Sequence, residues 1–96
     1  MLYLFIGEDN VSKDRKIAIL KKENLEDNSY HFDYELLHAD LLDPVKLKEL
    51  LNSFPTRSKK KVIIIRSADK LSLPNEKILL SYVKSMRQDT VLVLDT

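Results

Sequence analysis

Apolar residues along this chain alternate between short continuous runs and stretches at helical spacing, and that alternation predicts the elements. Leu2-Tyr3-Leu4-Phe5-Ile6 is a short apolar run closed by Gly7 and reads as a buried strand. From about Val11 to Leu25 the pattern is helical. Val11, Ile17 and Leu20, with Ala18 beside them, form its inward stripe; the lysines face water, and Asn10 or Ser12 caps the start. The polar segment 26–29 is a turn. From Tyr30 to His38, Phe32, Tyr34 and Leu36 alternate with Asp33 and Glu35, as expected of a half-exposed strand at a sheet edge.

Asp43-Pro44 marks a second helix start, a carboxylate N-cap followed by proline at the first helical position. Leu47, Leu50, Leu51 and Phe54 make its inward stripe, and Pro55 ends it. Val62-Ile63-Ile64-Ile65 is an unbroken β-branched run, which predicts a strand buried on both faces. Ser72 to Pro74 opens a third helix with Ile78, Leu79, Tyr82, Val83 and Met86 inward, and Val91-Leu92-Val93-Leu94 is the last strand. The order βαβαβαβ with short connections predicts a parallel, three-layer α/β sheet. Residues 1–96 form a single domain without repeat or linker. Because Thr96 directly follows a strand of buried type, the domain is expected to be the N-terminal part of a longer chain.

Composition narrows the function classes. The chain has 96 residues, 44% apolar and 32% charged, as in a small soluble domain. A net charge of +1 supplies no global attraction to nucleic acid or membrane, so an electrostatic partner must be met by a local patch. The absence of cysteine excludes disulfides and thiolate metal sites and fits a reducing cytoplasm, the expected location. Leu2–Ile6 is too short for a signal core, and no run approaches the roughly 20 apolar residues that span a bilayer. His31 and His38 are isolated and suggest no metal site.

Gly7-Glu8-Asp9-Asn10-Val11-Ser12-Lys13-Asp14 occupies the strand-to-helix turn where a phosphate loop would sit. It keeps the first Gly and the Lys of G-x-x-x-x-G-K-[ST], but has Ser12 for the second Gly and Asp14 for the hydroxyl residue. Asp14 would set a negative charge against a triphosphate. Arg66-Ser67 ends the third strand where a nucleotide hydrolase carries an acidic pair for magnesium and water. The simplest reading is an ordinary βα turn with a capped helix, with no catalytic residue, nucleotide cofactor or metal. A rival reading is a receiver-like or nucleotide-binding switch using Glu8, Asp9 and Lys13. Against it, the third strand ends in Arg66 rather than Asp, Asp69 lies three residues on, and no fifth strand supplies a lysine. Arg57, Lys59, Lys60 and Lys61 form a basic cluster suited to phosphates or an acidic protein rim. Its simpler reading is a solvated turn whose lysines discourage aggregation ahead of a buried strand. Tyr30, Phe32, Tyr34 and Phe54 read as core or sheet-face residues.

In order and spacing, several segments resemble the N-terminal domain of the delta subunit of bacterial DNA polymerase III, the clamp-loader subunit that opens the sliding clamp. They are Tyr3 to Asp9, Asp33-Tyr34-Glu35-Leu36-Leu37 with Asp40, Leu47 to Leu51, Ser58 to Leu71, and Asp89 to Leu94. The resemblance implies an AAA+-like fold related to P-loop NTPases, without functional nucleotide motifs and with strand order 2-3-4-1. It implies no enzyme activity of its own but membership of the polymerase III holoenzyme, a DNA-directed DNA polymerase and thus a nucleotidyltransferase. The implied partners are the sliding clamp (the beta subunit), other clamp-loader subunits reached through a later collar region, and DNA met through the assembled complex. In that family an apolar pair between the second helix and third strand grips the clamp. Here the pair falls on Thr56-Arg57, neither of them apolar, and Phe54-Pro55 just before is placed to substitute.

Overall fold

The computed structural model describes residues 1–7, 9–25, 33–56 and 58–96. Along them run β1 (Leu2–Phe5), α1 (Asn10–Asn24), β2 (Tyr34–His38), α2 (Pro44–Asn52), β3 (Lys61–Arg66), α3 (Leu73–Lys84) and β4 (Thr90–Asp95). Single 3₁₀ turns at Ala39–Leu41 and Ala68–Lys70 follow β2 and β3. Glu8, Tyr30, His31, Phe32 and Arg57, all singled out above, lie outside the described residues.

All strands are parallel, in the order β1-β4-β3-β2. Read from the other edge this is 2-3-4-1, with β2 at an edge as its polar alternation predicts. A receiver-like sheet would put β1 between β2 and β3. Here β1 pairs with β4, and β2 with β3, so the receiver-like alternative is corrected by the topology.

The β-branched run explains the layering. Successive side chains of a strand point to opposite faces. Val62 and Ile64, with Val91 and Val93, meet Ile17 and Leu20 of α1. Ile63 and Ile65, with Leu92, meet Leu47 and Leu51 of α2 and Leu79 of α3. Each such side chain contributes about 1.5–3 kcal/mol on full burial, so β3 and β4 carry the largest share of the hydrophobic driving force.

Elsewhere several expectations need correction. β1 is not buried on both faces: Tyr3 and Phe5 pack on the α1 side, but Leu2, Leu4 and Ile6 are exposed. Helices α2 and α3 lie over β2, β3 and β4 and stop short of this edge. Val11 is exposed rather than inward, and Lys13 is buried rather than solvated. The cap of α1 is Asp9, not Asn10 or Ser12. Asp43 does occupy the N-cap of α2, but its side chain makes no capping hydrogen bond. Met86 lies beyond the end of α3 yet still packs on the core. Phe54 lies past the end of α2 and is 76% exposed, because the helix stops at Asn52 and Ser53 turns to extended backbone. No helix among the described residues is long and apolar enough to cross a membrane.

Candidate functional site: the two ends of the parallel sheet

In a parallel α/β sheet, ligands are expected beyond the carboxyl ends of the strands. Here that end opens on a cleft of about 400 Å³ lined by Leu4, Phe5, Ile6, Gly7, Asp9, Ser12, Lys13 and Lys16. Gly7 has φ of 114°, a conformation that L side chains rarely adopt, which accounts for a glycine at the turn. The groups a phosphate would use are already engaged. The Ser12 backbone N–H donates to Asp9 Oδ1 at 3.2 Å and its hydroxyl donates to Asp9 Oδ2 at 2.8 Å. The Ser12 hydroxyl, then the backbone donor, hold the Asp9 carboxyl below the usual carboxylate range. Thus an internal carboxylate caps the helix where a phosphate oxygen would sit in a working loop.

The lysine is likewise occupied. Lys13 Nζ lies 2.6 Å from Asp95 Oδ1 and donates to the Thr96 carbonyl at 2.6 Å. Its contact with Asp95 is ionic rather than an aligned hydrogen bond. Arg66 donates to Asp95 Oδ2 at 3.1 Å and reaches Asp14 Oδ1 at 3.0 Å. Asp95 is buried, so Lys13 and Arg66 are bound together by one carboxylate at the ends of β3 and β4. Asp14, the odd residue of the degenerate loop, serves Arg66. Ser67, the next residue after Arg66, has φ of 56°, a left-handed backbone uncommon for a residue other than glycine. Among the described residues, no three His, Cys, Asp or Glu side chains come together as a metal site.

At the amino end of the sheet the charges have other partners. Lys61, expected in a solvated turn, opens β3 and is only 4% exposed. Its ammonium donates to the carbonyls of Leu50 at 2.6 Å, Leu51 at 3.2 Å and Ser53, and so satisfies the open carbonyls at the end of α2. Burial, reinforced by nearby Arg87 and partly offset by Asp89, pulls its pKa down to about 8. Arg87, between α3 and β4, donates to the carbonyls of Asn52 and Ser53 at 3.1 and 3.2 Å and pairs with Asp89. The guanidinium carbon stands 3.9 Å from the centroid of the Phe54 ring. Pro55 beside it is half-buried and Thr56 is exposed.

The degenerate loop residues Gly7, Ser12, Lys13 and Asp14 thus gather at one end of the sheet, and Phe54, Pro55 and Thr56 at the other. Sequence reading missed Asp95 and Arg87, and it placed Lys61 in a basic turn rather than under the end of α2. Asp95 had a readable signal: adjacent parallel strands end in Arg66 and Asp95, which are register partners. Asp9-x-x-Ser12 is likewise a cap pattern. Nothing local ties Arg87 or Lys61 to the end of α2.

Fold and site define a class: a three-layer parallel α/β domain with strand order 2-3-4-1, in which the residues of the degenerate loop are engaged by the protein's own side chains. Among solved structures, the DNA clamp loader delta protein of Bacillus subtilis superposes with a TM-score of 0.82 over 98% of this chain, at 13% identity. A DNA polymerase III gamma-subunit-related protein of Thermotoga maritima superposes with a TM-score of 0.76 over the whole chain, at 19% identity. The chain spans only about a third of either protein, 30% of the first and 34% of the second. No protein-family model matches the sequence. No curated protein matches it either.

Proposed function

We propose that this chain is the AAA+-like N-terminal domain of a clamp-loader delta subunit, a non-catalytic component that grips the sliding clamp and helps open it during DNA replication. The observation that carries this reading is Phe54: a large aromatic, 76% exposed, between α2 and β3, where the delta family places its clamp grip. The internally paired Lys13, Arg66 and Asp9 support action by contact rather than by ATP hydrolysis. An anchor that fits a clamp pocket better in the open than in the closed form shifts the clamp toward opening by that difference in affinity. On this reading the domain belongs to a longer cytoplasmic protein that joins the other loader subunits through a collar region and meets DNA in the assembled complex.

The test is clamp binding by surface plasmon resonance. Phe54→Ala is expected to weaken binding by about 30-fold, roughly 2 kcal/mol, as for a buried aromatic anchor. Pro55→Ala and Arg57→Ala are expected to weaken it much less. Because Phe54 is exposed, circular dichroism should show an unchanged fold. Wild-type affinity in Phe54→Ala would place the contact elsewhere.

A further inference from the structure

The segment that carries Phe54 is irregular, yet it is held from both sides. Asp33, the residue before β2, is 3% exposed. Its carboxylate accepts the backbone N–H of Thr56 on one oxygen and that of Ser58, at 2.6 Å, on the other. Asp33 is itself fixed to the sheet, since its carbonyl accepts the Val62 N–H at 2.8 Å. From the opposite side Arg87 bonds the carbonyls of Asn52 and Ser53, with its guanidinium over one face of the Phe54 ring. An anion therefore fixes the amides at the far end of the segment, and a cation fixes the carbonyls at its start.

We infer that Asp33 and Arg87 are positioning residues that hold the backbone at Ser53, Thr56 and Ser58 in one conformation and present the Phe54 ring to its partner. For the identity of that partner, a sliding clamp, the inference rests on the reading above. An unheld loop would populate the binding conformation only part of the time, and apparent affinity falls by that fraction. Charge-assisted bonds from a buried carboxylate to two amides are among the stronger ways to fix a backbone. Ring stacking on a guanidinium adds a preference for one orientation of Phe54. Because the loss is of a pre-formed state, it should appear in the association rate more than in the dissociation rate.

The experiment combines amide hydrogen exchange by NMR with clamp binding by surface plasmon resonance, on wild type, Asp33→Asn and Arg87→Gln. Asp33→Asn should speed exchange at Thr56 and Ser58 by about tenfold while β3 and β4 stay protected. It should also lower clamp affinity by about tenfold, chiefly through slower association. Arg87→Gln changes a partly exposed side chain, so it should fold even if Asp33→Asn does not. It should weaken clamp binding about threefold to tenfold with the Thr56 and Ser58 amides unchanged. Unaltered exchange in Asp33→Asn, or wild-type association by both folded variants, overturns the inference. If the wild-type chain binds no clamp, the clamp reading fails instead, and amide exchange alone decides whether Asp33 holds the loop.

Discussion

Lys61 and Arg66 stand at opposite ends of β3, and their partners distinguish the two ends of the molecule. At the carboxyl end Arg66 and Lys13 meet carboxylates, those of Asp95 and Asp14. At the amino end Lys61 and Arg87 meet backbone carbonyls at the end of α2. Pairing with carboxylates neutralises the cations and leaves little for an outside anion. Arg87 is paired with Asp89 as well, whereas Lys61 meets the carbonyls that terminate a helix, an end that favours cations. One end engages its cations with its own carboxylates. The other uses charge to keep an apolar ring at the surface.

The comparison is tested most severely at Asp95. Its carboxylate is shared by two cations, and its side chain is 6% exposed. Replacing it leaves the buried Lys13 without its carboxylate and Arg66 with the exposed Asp14 alone, and breaking such a buried pair costs about 3 kcal/mol. Asp95→Asn should therefore lower Tm by roughly 15 °C in thermal unfolding followed by circular dichroism. A double change, Lys13→Met with Asp95→Leu, should recover much of that loss, because it removes charge and countercharge together. A nearly unchanged Tm in Asp95→Asn would mean that the network does not close this end.

The sequence makes the sheet legible and the charges only partly so. Val62–Ile65 and Val91–Val93 announce their burial because adjacent apolar β-branched or leucine side chains have no solvent face to offer. β2 lies at an edge as expected, but the alternation gives the wrong faces, since Leu36 is exposed while Asp33 and Leu37 are buried. β1 misleads because an apolar run says nothing about whether a helix covers both sides; Leu2 and Leu4 lie on the side that α2 and α3 leave open. Phe54 misleads because helical spacing continues past the point where the helix stops. What ends α2 as it does is Lys61 and Arg87, brought from β3 and the α3–β4 connection, and only the tertiary fold reveals that meeting.

The amino end yields a smaller effect, with a pH signature. Lys61→Met removes the ammonium and leaves the Leu50, Leu51 and Ser53 carbonyls without their donor, a loss of about 2 kcal/mol near neutral pH. Folding lowers the Lys61 pKa to about 8 from 10.5, so the folded state releases this proton first. The penalty of burying the charge is present in full below about pH 8. It is relieved as pH rises toward the unfolded value, because unfolding must then take up a proton. The stability gap between wild type and Lys61→Met should therefore widen from pH 7.5 to pH 9.5 in urea unfolding. A gap that narrows over that range would show that Lys61 holds its proton more tightly folded than unfolded.

The smallest expected effect is none: isothermal calorimetry with ATP and magnesium should give no saturable heat at micromolar concentrations. In a working phosphate loop the lysine and the first amides of the helix face the phosphates. Here Lys13 is bonded to Asp95 and the Thr96 carbonyl, and the Ser12 amide to Asp9. A nucleotide would have to displace two internal carboxylates and then meet Asp14. Lys13→Ala should accordingly act on stability, by leaving Asp95 with Arg66 alone, and leave the calorimetric baseline as it was. A micromolar site in the wild type that Lys13→Ala abolishes would reverse the comparison, making the carboxyl end the open one and the internal pairs its resting state.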